Sequence, residues 1–432
     1  MHFDDIDIPD TLIRAAQKGQ LVIFAGAGVS KQEPTCLPDF DELVTKIRDI
    51  VDPGHHLKDR ERRQDGEGYE EGPERYLGYL ASHANSGSKQ VRSACARLLG
   101  GEREPSELHR NILSLFGNPE SLRVVTTNFD SCFESAAGGM GMSPRIYISP
   151  ALPLGNDFSG LIHLHGSTVD PNSQILTDVD FGRAYITDGW ASHFLVRMFS
   201  TYKTLFVGYS CGDMLVDYLT RSLSADMAEN AFALDRSDDG LSDWESRGVT
   251  PIMFSDYKEL PVLFDRWSSY TAMSLYERSS AIEGLMSEPM GPAGLQREDE
   301  ELLLDSLGRE DERRRTACIR TFCDHATDTS WLRWAAKHKL LECLFGDCVK
   351  DWQNLMLDWA IGFSCTDYEA LESIVLERGV DSLSQRACVY LIKKLSDKKA
   401  SEGCVASWLP FLKGKMTEPS CYAILNLLEE QD

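Results

Sequence analysis

Apolar positions in the first 260 residues follow two alternating patterns. Residues 21–25 (LVIFA), 122–126 (LRVVT) and 204–207 (TLFV) are short, nearly continuous apolar runs, and the segments between them carry apolar residues at intervals of three and four. Short apolar runs are typical of strands buried on both faces of a parallel sheet, and the longer spacing is typical of amphipathic helices. The alternation predicts an α/β fold with a doubly wound, Rossmann-like parallel sheet and a helical insertion.

The pattern changes near residues 291–294 (GPAG), and only helical periodicity follows from Glu300 to the end. Helices with short connections predict an all-α domain of stacked hairpins. We therefore expect a Rossmann-like domain over residues 1–290 and a helical domain over 295–432. Five of the eight tryptophans fall in the helical domain, and its last predicted helix has no capping signal, which suggests a domain cut from a longer solenoid.

Composition narrows the class of protein. The net charge of −24 repels a phosphate backbone, so nucleic acid is not an expected partner. No apolar run reaches the roughly 18–20 residues that span a bilayer, so no membrane association is expected. The N-terminus lacks a basic segment followed by an apolar one, and the twelve cysteines form no CxxC pair. These features predict a cytoplasmic protein with reduced thiols.

Glycine and polar residues directly follow four of the predicted strands. They are residues 26–30 (GAGVS), 127–130 (TNFD), 165–166 (HG) and 208–210 (GYS). The carboxyl ends of parallel strands meet at one edge of a doubly wound sheet, where such sheets bind ligands. Each ending alone is consistent with ordinary turn chemistry. Four such endings in one sheet predict a common ligand site.

The ordered set of these four motifs resembles the sirtuin superfamily over most of residues 10–260. Residues 126–130 (TTNFD) stand where the protein deacylases of that superfamily carry Gln-Asn-x-Asp, and residues 167–207 contain no cysteine where those enzymes usually carry a four-cysteine zinc module. Both departures resemble the sirtuin-like effector domains of bacterial anti-phage defence proteins, which hydrolyse NAD⁺. The resemblance implies NAD⁺ as the substrate and no bound metal.

The motif residues suit cleavage of the glycosidic bond of NAD⁺. Nicotinamide leaves as a neutral molecule, and the oxocarbenium-like transition state needs polar groups around the ribose and a positioned water. His165 is expected to accept a proton from that water or from a ribose hydroxyl, and Asn128 to orient both. The resemblance implies that Ser30 and Asp130 contact the carboxamide of nicotinamide. The other expected contacts are Gly26, Ala27 and Gly28 to the pyrophosphate, Gly208 and Ser210 to the adenosine ribose, and Asp235 to ribose hydroxyls.

Three functions stay open at this point. An NAD⁺ glycohydrolase would deplete NAD⁺ in abortive infection, an NAD-dependent protein deacylase would use the same cofactor, and a non-catalytic domain would sense NAD⁺ or ADP-ribose. The missing cysteines count against the deacylase, and Asn128 with His165 counts against the sensor. A lethal activity needs control, so the helical domain is expected to form a homo-oligomer or to bind a partner subunit or a phage-protein trigger.

Overall fold

The computed structural model describes residues 1–54, 72–83, 87–210, 229–236, 241–397 and 400–412. The helix expected at 213–224 and the end of the last predicted helix lie outside these residues. The described chain divides into two compact units, Met1–Ala272 and Met273–Asp432.

The first unit is built on a seven-stranded sheet in which every neighbouring pair is parallel. A small antiparallel pair, β1 (His2–Phe3) and β2 (Ile6–Asp7), precedes it. The sheet has the order β5-β6-β4-β3-β7-β8-β9. Its strands are β3 (Leu21–Ala25), β4 (Arg123–Thr126), β5 (Ile146–Ile148), β6 (Gly160–His163), β7 (Lys203–Val207), β8 (Ala231–Arg236) and β9 (Thr250–Phe254). This topology confirms the predicted α/β class.

The central strand β3 lies at the topological switch point of the sheet. Its neighbours are β4 on one side and β7 on the other; β6 and β5 follow outward from β4, and β8 and β9 follow outward from β7. The register aligns the strand ends, because Ala25 lies opposite both Thr126 and Val207, and Thr126 lies opposite His163. The segments that follow these strands therefore start at one level, at the place where doubly wound sheets bind ligands.

Helices of the first unit cover the sheet and form the predicted insertion between β3 and β4. The predicted N-cap at Asp39 is confirmed, because its side chain accepts from Glu42 N and the Glu42 side chain accepts from Asp39 N. This reciprocal pair satisfies two backbone donors at the start of the helix. The helices are α1 (Asp10–Gln17), α2 (Ala27–Lys31), α3 (Phe40–Val51), α4 (Pro73–His83), α5 (Gly87–Leu99), α6 (Glu107–Ser114), α7 (Cys132–Gly139), α8 (Asp178–Gly182), α9 (Trp190–Thr201), α10 (Leu241–Ser246) and α11 (Glu259–Ala272).

The second unit is helical throughout its described residues. It starts earlier than the expected boundary at 290–295, because Ile282 and Met286 pack into its core. Trp331, Trp334 and Trp408 are buried in that core, and the other two tryptophans of the unit pack against it. The helices are α12 (Leu275–Met286), α13 (Arg297–Gly308), α14 (Glu312–His325), α15 (Thr329–Lys337), α16 (Asp351–Gly362), α17 (Tyr368–Arg378), α18 (Gln385–Asp397) and α19 (Glu402–Leu412).

Membrane-spanning helices were also sought in the part of the chain that the structure describes. None of its helices combines the length and the apolar character that crossing a bilayer requires.

Candidate active site

A cavity of about 890 Å³ lies at the carboxyl ends of the central strands. Every predicted site residue except Gly26 lines it. The structure thus brings together segments that are up to about 200 residues apart in the sequence. The predicted residues at the cavity wall are Ala27, Gly28, Ser30, Asn128, Asp130, His165, Gly208, Ser210 and Asp235.

The glycines after β3 serve close packing between neighbouring strand ends. Gly26 N donates to Val207 O and Gly28 N donates to Gly208 O, both at 2.9 Å. A Cβ atom on Gly28 would lie 2.8 Å from Gly208 Cα, and one on Gly26 would lie 2.7 Å from Gly208 O. These two amides therefore donate to the protein, and the expected contact of Gly26 and Gly28 with a pyrophosphate stays a prediction.

Replacing Gly28 with alanine is expected to lower the free energy of unfolding by about 1–3 kcal/mol, because the new methyl group would force the two backbones apart. The measurement is the melting temperature of the full chain. Gly138 in α7 is the control, since a Cβ there meets nothing within 4 Å. Gly138→Ala is expected to gain about 0.5–1 kcal/mol from helix propensity. Equal melting temperatures for the two variants would contradict the packing role of Gly28.

Asn128 is held with a defined orientation of its side-chain amide. Its Nδ2 donates to Gly26 O at 3.0 Å and to Ser30 Oγ at 3.1 Å. A carboxamide has two N–H hydrogens and one carbonyl oxygen. Both hydrogens are used inside the protein, so Oδ1 is the atom that Asn128 offers to a ligand. An acceptor at this position suits a water molecule or a ribose hydroxyl.

Ser30 and Asp130 belong to the same buried hydrogen-bond network. Ser30 Oγ donates to Asp130 Oδ2 at 3.0 Å, and Asp130 Oδ1 accepts from Cys132 N at 3.0 Å. The exposed fractions of Ser30 and Asp130 are 2% and 5%. Both side chains line the cavity, but these contacts show them supporting Asn128. Their expected contact with nicotinamide stays a prediction.

His109 joins this network and was missed by the sequence analysis. It lies on the buried face of α6, with its Nε2 3.2 Å from Ser30 Oγ. Ser106 N donates to its Nδ1 at 3.2 Å, which gives α6 a capping arrangement with histidine at the third helical position. The spacing Ser106-x-x-His109 was the available signal, but such pairs usually carry Glu or Gln.

His165 sits in an aromatic pocket. Its Nε2 lies 2.8 Å from the hydroxyl of Tyr185, and its ring meets the Phe181 ring edge-on at 5.1 Å between centroids. Burial lowers the pKa of His165 to about 3, so the imidazole is neutral at physiological pH. Burial also raises the pKa of Tyr185, which keeps the phenol protonated. Tyr185 belongs to a π-helical turn (Arg183–Thr187), a feature frequent at functional sites.

His163, the second histidine of this strand region, supports the backbone of Asn128. Its Nδ1 lies 3.2 Å from Asn128 O, and its Nε2 lies 2.8 Å from Glu134 Oε1. Burial alone would lower the pKa of His163, but the hydrogen bond and the charge of Glu134 outweigh it and raise that pKa. His163 does not line the cavity. His165 is therefore the better placed of the two for chemistry.

Asp235 lines the cavity at the end of β8, but both of its oxygens accept hydrogen bonds from the protein. Oδ2 accepts from the buried Trp244 Nε1 at 2.6 Å, and Oδ1 accepts from Arg236 N at 2.8 Å. These partners give Asp235 a structural role. Its expected contact with ribose hydroxyls stays a prediction.

Among the described residues, one group of potential metal-ligating atoms lies beside the cavity. The ligand atoms of His109, Asp130 and Cys132 lie within 4.8 Å of one another. Zinc would need a thiolate, and burial raises the pKa of the Cys132 thiol. Hydrogen bonds to Ser30 and to Cys132 N already account for the imidazole and the carboxylate. The group therefore suits a hydrogen-bond network better than a metal, and the expected independence from metal stays a prediction.

Comparison with known proteins gives a family match for part of this region. Residues 122–252 match the family described as "SIR2-like domain". Over 281 residues the chain is 28% identical to the uncharacterized protein y4cA of Sinorhizobium fredii, an alignment that covers 59% of this chain and 22% of that protein. The chain thus spans about a fifth of the length of this relative. The family match contains Asn128, His165 and Gly208, and it supports a sirtuin-like assignment with NAD-related chemistry.

Proposed function

We propose that the first unit is an NAD⁺ glycohydrolase that cleaves NAD⁺ to nicotinamide and ADP-ribose. The observation that carries the proposal is the meeting of Asn128 and His165 at the wall of one cavity, at the switch point of a sirtuin-like sheet. Asn128 presents an acceptor oxygen, and His165 presents a neutral imidazole.

The reaction needs little acid catalysis. The bond between C1′ of the ribose and the pyridinium nitrogen breaks, its electron pair stays on that nitrogen, and neutral nicotinamide leaves. The oxygen of a water molecule forms the new bond to C1′ and loses one proton. The positive charge of the oxocarbenium-like transition state is stabilised by polar groups held in place before the reaction. The buried carboxylate of Asp130 next to Ser30 contributes a field of the required sign.

Asn128 positions the reacting groups, and His165 accepts the proton. Asn128 Oδ1 accepts a hydrogen bond from the attacking water or from a ribose hydroxyl and so fixes its position. The imidazole of His165 accepts the proton as the C1′–O bond forms. A weak base suffices because water becomes strongly acidic while it bonds to an oxocarbenium carbon. Tyr185 orients the ring of His165 through Nε2.

The wider biological role follows the resemblance to anti-phage effectors. We propose that the chain depletes cellular NAD⁺ in abortive infection and that the second unit controls this activity. Control would act through assembly into a homo-oligomer or through binding of a partner subunit or a phage protein.

The decisive experiment is incubation of the purified chain with NAD⁺, with and without an acylated peptide and a strong chelator. We expect equal amounts of nicotinamide and ADP-ribose, independent of the peptide and unaffected by the chelator. Nicotinamide release that requires the peptide would identify a deacylase instead. NAD⁺ binding by calorimetry without any cleavage would identify a sensor.

The value of kcat/KM for NAD⁺ is expected to stay constant within about twofold as the pH falls from about 8 to about 5.5. This quantity reports ionisations of the free enzyme, and the pKa of His165 near 3 keeps its imidazole neutral over this range. A histidine with an ordinary pKa would lose activity below about pH 6.5. A tenfold fall with an apparent pKa near 6.5 would contradict the assignment of His165 as a buried neutral base.

The pH series needs a folding control. Burial lowers the pKa of His165 to about 3 and that of His109 to about 4. The unfolded chain therefore binds protons below about pH 6.5 that the folded chain does not bind, and stability decreases as the pH falls from there toward 4. Circular dichroism at each pH separates this loss of folded protein from a change in kcat/KM.

A further inference from the structure

His109 is a buried titratable side chain that the proposed reaction does not use directly. Its exposed fraction is 0%, and its ring packs edge-on against Phe133 at 4.8 Å between centroids. It does not line the cavity. An apolar side chain would fill the same space without needing hydrogen-bond partners. The presence of an imidazole with both nitrogens hydrogen-bonded therefore calls for a reason.

The contacts of His109 fix the position of its proton. Ser106 N lies 3.2 Å and Ser106 Oγ 2.7 Å from Nδ1; the hydroxyl can donate or accept, whereas the backbone N–H can only donate. Nδ1 must therefore carry the lone pair. Burial lowers the pKa of His109, so the ring is neutral and its one proton resides on Nε2. That proton faces Ser30 Oγ at 3.2 Å.

The proton on Nε2 determines the hydrogen-bond directions at Ser30. A serine hydroxyl has two acceptor lone pairs and one hydrogen. Its oxygen accepts from His109 Nε2 and from Asn128 Nδ2, so its hydrogen is directed to Asp130 Oδ2. Every hydrogen-bonding position of the hydroxyl is then filled. The hydroxyl cannot rotate without breaking one of these bonds.

We propose that His109 is a positioning residue that acts through Ser30 to fix the side-chain amide of Asn128, so that Oδ1 and not Nδ2 is presented to the ligand. The role in catalysis rests on the proposed function. The hydrogen-bond directions rest on the geometry alone. Without the donor at Nε2, the Ser30 hydroxyl gains a free lone pair and can turn, and Asn128 Nδ2 keeps only Gly26 O as a fixed acceptor.

The direct test is the protonation state of His109 in the full chain. Histidine ¹⁵N chemical shifts report which ring nitrogen carries the proton, and His109→Gln identifies the signals of this ring. We expect a neutral ring with its proton on Nε2 down to about pH 5, well above its lowered pKa. A proton on Nδ1 would overturn the proposal. This measurement requires no NAD⁺ cleavage, so it is independent of the proposed function.

Two variants test the effect on catalysis. His109→Phe keeps the ring against Phe133 and removes both nitrogens. His109→Gln keeps an acceptor for Ser106 N and a donor for Ser30 Oγ, as Gln does at this position of other capping boxes. We expect His109→Phe to lower kcat about 10–100-fold with KM changed less than about threefold, a loss typical of groups that orient a functional side chain. His109→Gln should recover most of that kcat.

The outcomes separate positioning from simple stability. Exposed His193 on α9 provides the matched control, His193→Phe, which should leave kcat unchanged. A folded His109→Phe with wild-type kcat would overturn the proposal, and so would equal kcat losses in the two His109 variants at the same melting temperature.

If His109→Phe does not fold, the ¹⁵N signals of the Asn128 side-chain amide are measured in His109→Gln instead. Retained hydrogen-bonded signals support the proposal, and their loss overturns it. A wild-type chain that cleaves no NAD⁺ removes the proposed function but leaves the hydrogen-bond test intact.

Discussion

Replacing Asn128 with alanine is expected to lower kcat for NAD⁺ cleavage about 10²–10³-fold while the Kd for NAD⁺ changes less than about threefold. The substitution removes Oδ1, the acceptor that positions the water or ribose hydroxyl in the transition state. It also removes two donors that bind Gly26 O and Ser30 Oγ inside the protein. An interaction made mainly in the transition state lowers kcat and leaves ground-state binding nearly intact.

Single-turnover kinetics measure the rate of NAD⁺ cleavage by Asn128→Ala, and calorimetry measures its Kd for NAD⁺. Asn111 in α6 is the matched control, because its Nδ2 donates to Pro261 O and the residue does not line the cavity. Asn111→Ala should cleave NAD⁺ at the wild-type rate. If Asn128→Ala instead lost NAD⁺ binding and kept its kcat at saturating substrate, Asn128 would be a binding anchor and not a group that acts in the reaction.

Replacing His165 with alanine is expected to lower kcat about 10²–10⁴-fold, the usual worth of a general base. The substitution deprives the attacking water of its proton acceptor. It also removes the ring that Phe181 and Tyr185 enclose, together with the hydrogen bond between Nε2 and the phenol of Tyr185. Steady-state kinetics with NAD⁺ and detection of nicotinamide provide the measurement.

The matched control for this substitution is His193→Ala. His193 is exposed on α9, so its removal tests whether loss of a histidine from the first unit is enough to impair turnover. Melting temperatures of both variants show whether the chain is folded. A folded His165→Ala that cleaves NAD⁺ within a few-fold of the wild-type rate would show that another group, or solvent, takes the proton.

The main elements of the fold were predictable because buried strands and helices show a clear pattern of apolar residues in the sequence. Strand β3 is buried at all five positions and reads as an unbroken apolar run, and Asp39 begins α3 as its N-cap position indicated. The boundary between the two units was harder to place. Helix α12 carries the same helical periodicity as the segments on either side of it, and only its core contacts assign it to the second unit.

The candidate site was predictable where its residues follow strands and was missed where they come from helices. Motifs after parallel strands must converge, so Asn128 and His165 could be placed together. His109 carries only the unusual Ser106-x-x-His109 spacing and Tyr185 lies in no motif, and the contacts of both depend on packing between distant elements. The hydrogen-bond partners of the Gly26 and Gly28 amides were not predictable, because they lie on β7 or directly after it, and no local pattern shows which strand becomes the neighbour of β3.

The pairing of β3 with β7 has a consequence during synthesis on the ribosome. β3 ends at Ala25, whereas β7 begins at Lys203, and the wall of the cavity needs Gly208 against Gly28. A nascent chain that already contains Asn128 and His165 still lacks that wall until β7 has left the exit tunnel. A premature stop codon ahead of β7 therefore yields an inactive fragment. Under the proposed function, translation order thus delays NAD⁺ cleavage until β7 has been made.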